Sequence, residues 1–180
     1  ELRRVLSEYP ESIRRMIPAA SSDQTDQARL AKLQSLSHLL ENGSATAGRK
    51  VFQTGRIACT TCHAIDGKGG QVGPDLSRIG AIRSNRDLLE AVVYPSASFA
   101  RGYRSYSVVT DAGRIHTGLI ERQTKAEIVL KTRDLKQIRI PTSEIGDLVE
   151  SSVSIMPKGL ETVLSEQELR DLLAYLSSLK

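Results

Sequence analysis

Cys59 and Cys62 stand two residues apart with a histidine directly after the second, in Cys59-Thr60-Thr61-Cys62-His63. Two thiols so spaced can add to the two vinyl groups on one side of a porphyrin, and His63 is then placed under the iron as an axial ligand. This CxxCH spacing is the attachment pattern of c-type haem. Two other chemistries use paired cysteines. A redox dithiol sits at a helix start after a strand, and no strand is predicted before Cys59. A structural zinc takes four ligands; His63 is badly spaced to be one of them, and His38 and His116 are the only other histidines. One covalently bound haem c is the reading that the spacing supports best.

The second axial ligand has to come from elsewhere in the chain. Met16, Met156, His38 and His116 are the candidates. Met156 stands in Val153-Ser154-Ile155-Met156-Pro157, a short apolar loop before the last predicted helix, where Pro157 fixes the following backbone and would present the thioether inward. A thioether opposite histidine raises the reduction potential and suits electron transfer. Met16 lies in an amphipathic turn and reads as core filler. His38 lies on a helix and reads as a surface or packing residue, and His116 alternates with Ile115 in a strand and reads as solvent-facing. His63 and Met156 are therefore the expected metal ligands. With both axial positions filled the iron has no open site for substrate, so the expected function is one-electron transfer without catalysis. The alternative is a haem sensor or peroxidase-like domain whose sixth ligand is labile or absent.

The bulk properties fit a cofactor-filled core. The 180 residues are 39 % hydrophobic and 26 % charged, enough for a folded domain or two small ones, with only five Tyr, two Phe and no Trp. A macrocycle supplies the flat apolar bulk that side chains do not. The two cysteines exclude a disulfide-dense scaffold. No apolar run reaches the ~18 residues of a membrane span. The largest local charge excess is three, over residues 43–100, and aromatics are not interleaved with Lys and Arg, so nucleic acid is not an expected partner. The chain begins at Glu1 without Met and reads as a piece of a longer protein, so a missing targeting segment carries no information.

The elements that position these residues follow from periodicity. Residues 1–42 read as a helical leader: Leu2, Val5, Leu6 and Tyr9, then a turn after Pro10, a linker over Pro18 to Asp26, and a stripe of Leu30, Leu33, Leu36 and Leu40 that stops at Asn42-Gly43. Ser44 N-caps a helix to about Thr54. A Cys/His loop and a Gly-rich loop follow, and Ser84 with Asp87 caps a helix that Pro95 ends. From Tyr103 the period becomes two, with Tyr106, Val108, Ile115, Thr117, Leu119, Ile128, Leu130, Ile138 and Ile140 as the inward set of four or five short antiparallel strands. After Leu148 the chain returns to helix, and Ser165 with Glu168 is a capping box for a face of Leu169, Leu172, Leu173, Leu176 and Leu179. Cys62 and Met156 are 94 positions apart, but only 44 remain if the β block 101–150 is set aside. The expected fold class is α+β: an all-α cytochrome formed by residues 43–100 and 151–180, an inserted β module over 101–150, and the leader 1–42.

The chain resembles a class I cytochrome c in Gly48-Arg49-Lys50-Val51-Phe52, Cys59 to His63, Val72-Gly73-Pro74-Asp75-Leu76, Met156-Pro157 and Asp171 to Leu176. The resemblance implies that the first and last helices cross at Gly48, with Phe52, Leu172 and Tyr175 filling the crossing. It also implies that the Pro74 carbonyl accepts a hydrogen bond from His63 Nδ1, which orients the ring. More narrowly, residues 45–180 resemble the haem-binding C-terminal domain of large planctomycete proteins of the membrane-bound dehydrogenase type, through Gly73 to Leu76, Pro95 to Tyr103 and Ser154 to Leu160. That implies a redox protein partner or a fused dehydrogenase domain. Many class I cytochromes place a Trp near a haem propionate; this chain has none, which leaves Arg78, Arg83, Arg101 and Tyr103 as donors. The β block is somewhat like an SH3- or Sm-type small barrel, a fold that hosts many functions. Covalent haem attachment takes place on the exported side of the bacterial inner membrane, so a periplasmic or equivalent location is expected.

Overall fold

The computed structural model describes residues 23–180, which contain both helices and strands. The expected turns over Leu2–Tyr9 and Ile13–Ile17, and with them Met16, lie outside the described residues. The described residues fall into two units, 23–35 and 36–180. In the first, helix α1 spans Asp23–Ser35, so the expected linker already turns helical at Asp23. The leucine stripe is not one helix. After Ser35 the backbone tightens into a 3₁₀ turn, Ser37–Leu40, which belongs to the second unit and buries Leu39 against the last helix.

Helix α2, Ala45–Gln53, follows the cap at Ser44, whose hydroxyl accepts from the Ala47 amide. The turn α3 is Cys59–Cys62, α4 is Ile79–Ile82 and α5 is Asn85–Val93. Beyond the sheet, α6 is Leu160–Val163 and α7 is Glu166–Ser178. The two predicted capping boxes are present, Ser84 with Asp87 and Ser165 with Glu168. Each satisfies amides that a helix start leaves without intrahelical partners.

The principal helix contact is α2 on α7. Gly48 makes it possible: a Cβ there would stand 1.8 Å from the Asp171 carbonyl oxygen. Phe52 and Tyr175 meet edge to face, with ring centroids 5.7 Å apart, beside Leu172, which is 2 % exposed. Each such buried side chain contributes roughly 1.5–3 kcal/mol. The buried Asp171 carboxylate accepts from the Ser44 amide at 2.7 Å and from Gln167 at 2.9 Å, so α7 supplies an anion to the start of α2.

Residues 106–150 form a five-stranded antiparallel sheet. Strands β1, Ala64–Ile65, and β2, Lys68–Gly69, make a separate small hairpin. The sheet comprises β3, Tyr106–Thr110; β4, Ile115–Gln123; β5, Glu127–Lys131; β6, Gln137–Pro141; and β7, Ile145–Glu150. Their order is β6-β5-β4-β3-β7, so the chain runs as a meander and then returns to pair β7 with β3. Val108, Ile128, Leu130 and Ile140 form its buried core. The strand continues past Leu148 to Glu150, and the return to helix waits until Leu160.

The inward set expected for β4 is on the wrong face. His116 is the cross-strand partner of Val108, which is fully buried, so His116 shares the inner face and is half-buried while Ile115 is 42 % exposed. Partners on an antiparallel ladder project to the same side. Leu119 is buried, yet it lies on the face of Ile115 and Thr117, while Ile120 packs on the sheet's core.

Gly48→Ala should force two backbones apart and cost at least about 2 kcal/mol, as overpacking does. Gly55→Ala, where an added Cβ meets nothing within 4 Å, should be neutral; urea unfolding of both variants checks this. Glu168 is held below the usual carboxylate range chiefly by the Ser165 amide, then by the Ser165 hydroxyl and Arg56. A carboxylate with a depressed folded pKa stabilises above its unfolded value of about 4.3, and that contribution is lost as pH falls through the folded value. Glu168→Gln keeps the box without the charge, so it should flatten the acid side of the stability–pH curve followed by thermal melts.

Candidate functional site

The CxxCH segment is folded as one helical turn. Ala58 enters it with a left-handed φ of 49°, and Cys59 and Cys62 fall three residues apart on the same side of α3. The His63 amide closes the turn on the Cys59 carbonyl at 2.9 Å. The chain then reverses in the β1–β2 hairpin through Asp66-Gly67, whose φ values are 51° and 71°. Asp-Gly is the residue pair that a two-residue turn with two positive φ values requires. The Gly-rich stretch comes straight back over the turn. Gly70 donates to the Thr60 carbonyl at 2.9 Å, and Val72 and Gly73 both donate to the Cys62 carbonyl.

This return sets the histidine. His63 Nδ1 lies 2.8 Å from the Pro74 carbonyl, the contact that the resemblance implies. With Nδ1 as donor, Nε2 is left as the acceptor nitrogen. A Cβ at Gly73 would stand 2.5 Å from the imidazole, so the glycine lets the loop lie against the ring. Burial lowers the His63 pKa, opposed by the Pro74 hydrogen bond, and so favours the neutral ring that can bind a metal. Burial pushes the Cys59 thiol up to about 11, with Cys62 adding to the rise and a backbone hydrogen bond opposing it. Cys62 is raised by burial as well. A redox dithiol has its reactive thiol depressed. Among the described residues no group of three His, Cys, Asp or Glu side chains gathers to hold a metal ion.

Cys59, Cys62 and His63 open onto a cavity of about 320 Å³. Its walls are largely apolar and come from Ile57, Val72, Leu76, Leu88 and Leu176, among others. Met156 and Pro157 line it too, as do Pro74, Arg83 and Tyr103. The cavity thus joins the CxxCH turn with the Met156 loop, 94 positions later, and two of the expected propionate donors. An apolar enclosure with two thiols, an imidazole tied at Nδ1 to the Pro74 carbonyl, and a thioether is a donor set that fits a covalently tethered haem.

Four expected or alternative residues lie elsewhere. Arg78 precedes α4, is exposed and does not line the cavity. Arg101 lines a different depression beside Phe99, Arg104 and Glu150. His38 is an exposed histidine, 3.7 Å from Glu166, and His116 belongs to the sheet's inner face.

Periodicity marks Leu119 as an inward residue but not that it reaches the cavity wall from the sheet, and it marks none of the bonds holding the Met156 loop. These contacts join segments far apart in the chain. The Asp66-Gly67 turn did carry a signal.

Among the described residues no helix is long and apolar enough to cross a membrane. No curated protein matches the chain. Residues 45–106 match the family model described as cytochrome c, a stretch that contains Cys59–His63 and Pro74 and ends at the first residue of β3. The match supports a cytochrome c, and with it a haem iron and electron transfer.

Proposed function

We propose that this chain is a single-haem c-type cytochrome domain that relays one electron at a time, with His63 and Met156 as axial ligands and Cys59 and Cys62 as the covalent tethers. The observation that carries the reading is the convergence on one apolar cavity of both thiols, the imidazole tied to Pro74 and Met156. When bound, the haem supplies the ferrous–ferric couple. The protein's residues do the rest. Pro74 holds His63 in one tautomer and orientation and increases its basicity. The apolar walls exclude water, which limits the change in solvation when the charge changes. Met156 would be the second protein ligand, keeping small oxidants and substrates away and raising the potential. Arg83 and Tyr103 are the donors available to haem propionates, Arg83 by a charge-assisted contact.

The cytochrome fold in this reading comprises residues 43–100 and 151–180, with 101–150 as an inserted module; the family match over 45–106 supports the first of these segments. The electron donor is a dehydrogenase, fused or separate, as in the planctomycete proteins that the chain resembles. Haem attachment places the domain in the periplasm or an equivalent exported compartment.

Holoprotein produced with a haem-attachment system should carry one haem through two thioethers, seen in its intact mass and its pyridine haemochrome. Met156→Ala should lower the midpoint potential and open the ferrous iron to carbon monoxide. A substitution that changes neither removes Met156 as the ligand. Ready binding by the unaltered protein would favour a sensor or peroxidase-like domain instead.

A further inference from the structure

The loop from Ser151 to Gly159, which carries Met156, contains no helix or strand. Its position depends on bonds to other segments. The Ser151 amide donates to the Ser105 carbonyl at 2.9 Å, and the buried Ser105 hydroxyl donates to the Val153 carbonyl. The Ser154 amide donates to Ser96 Oγ at 3.0 Å. The carbonyls of Ser154 and Ile155, the two residues before Met156, accept from a single side chain, Arg133. Its Nε lies 2.9 Å from the Ile155 oxygen and a terminal nitrogen 3.2 Å from the Ser154 oxygen. The Met156 amide then closes on Ser154 Oγ at 3.1 Å.

Arg133 stands in the β5–β6 turn, on the far side of the sequence from the CxxCH segment. The neighbouring Asp134 is engaged by Lys136 at 2.8 Å and by the Thr132 hydroxyl, so the turn is closed by other side chains and Arg133 reaches across to the loop. Only a guanidinium offers adjacent donors in a rigid plane that can hold two successive carbonyls. Leu119 of β4 makes an independent contact from the same sheet by lining the cavity.

We infer that Arg133 is a positioning residue for the sixth ligand: the β sheet, through this fork, holds the Met156 loop closed and keeps the thioether on the iron. The inference rests on the ligation proposed above. Without the fork the loop opens more often, and each opening exposes the sixth site. The fraction of competent sites scales the apparent affinity and rate of an incoming ligand.

The test compares the ferrous holoprotein with Arg133→Gln, Arg133→Lys and Arg139→Gln by carbon monoxide binding and by midpoint potential. Arg139 is on the same sheet, pairs with Glu127 and does not reach the loop. Loss of a charged donor's hydrogen bonds should raise carbon monoxide association roughly tenfold in Arg133→Gln. The midpoint potential should fall, Arg133→Lys should recover part of both changes, and Arg139→Gln should match the unaltered protein. Unchanged binding and potential in Arg133→Gln, alongside a Met156→Ala variant that does change them, overturns the inference and leaves the ligation intact. Unaltered protein that binds carbon monoxide as fast as Met156→Ala overturns the ligation, and the inference with it. If Arg133→Gln does not accumulate as holoprotein, Arg133→Lys decides on the same readings: a measurable shift in both supports the fork, and none overturns it.

Discussion

The hydrogen bond between His63 Nδ1 and the Pro74 carbonyl is the constraint around which the site is built. A histidine serves as a metal ligand only if one nitrogen is left with its lone pair and the ring is aimed. A 2.8 Å bond to a backbone carbonyl, which can only accept, makes Nδ1 the donor and aims the ring, and burial favours the neutral form. That bond needs Pro74 beneath the ring, and the chain gets there only because Asp66-Gly67 reverses it and Gly70 and Gly73 allow backbone and ring to touch. The same return hydrogen-bonds to the Thr60 and Cys62 carbonyls and so fixes the turn that presents both thiols. Thiols, imidazole and supporting carbonyl are thus one local construction.

That construction stands on the crossing of α2 and α7. The two helices meet where Gly48 has no side chain, and their contact is sealed by Phe52 and Tyr175 and by the Asp171–Ser44 hydrogen bond. Leu176 of α7 continues into the cavity wall. Helix α7 therefore both anchors α2 and lines the cavity that Cys62 and Met156 share, although 94 positions separate them in sequence. The five-stranded sheet lies inside that separation, and it contributes both Leu119 and Arg133 to the same region.

Local rules were enough for much of this. The caps at Ser44, Ser84 and Ser165 show in the sequence because a short polar side chain satisfies orphan amides whatever lies beyond the helix. The CxxCH spacing shows because its chemistry is confined to five residues. Strand β4 shows where such rules stop. Ile115, Thr117 and Leu119 do share a face, but a period of two says only that they do, not what covers it. The sheet's own core claims His116's side and Ile120, while the outer face meets solvent at Ile115 and the cavity at Leu119. Similarly, Leu30 to Leu40 has helical spacing, but packing of Leu39 under the last helix imposes a tighter turn. Arg78 and Arg83 look alike in sequence, and only the path of the chain around α4 puts Arg83 at the cavity and Arg78 outside it.

The central claim is a thioether–iron bond made by Met156 opposite His63. The absorption spectrum of the oxidised holoprotein tests it most directly. A Met-ligated ferric haem c shows a weak long-wavelength charge-transfer band that other axial pairs lack, and the account predicts that band in the unaltered protein and its loss in Met156→Ala. An oxidised spectrum without the band, from protein whose covalent haem has been verified, would contradict the account.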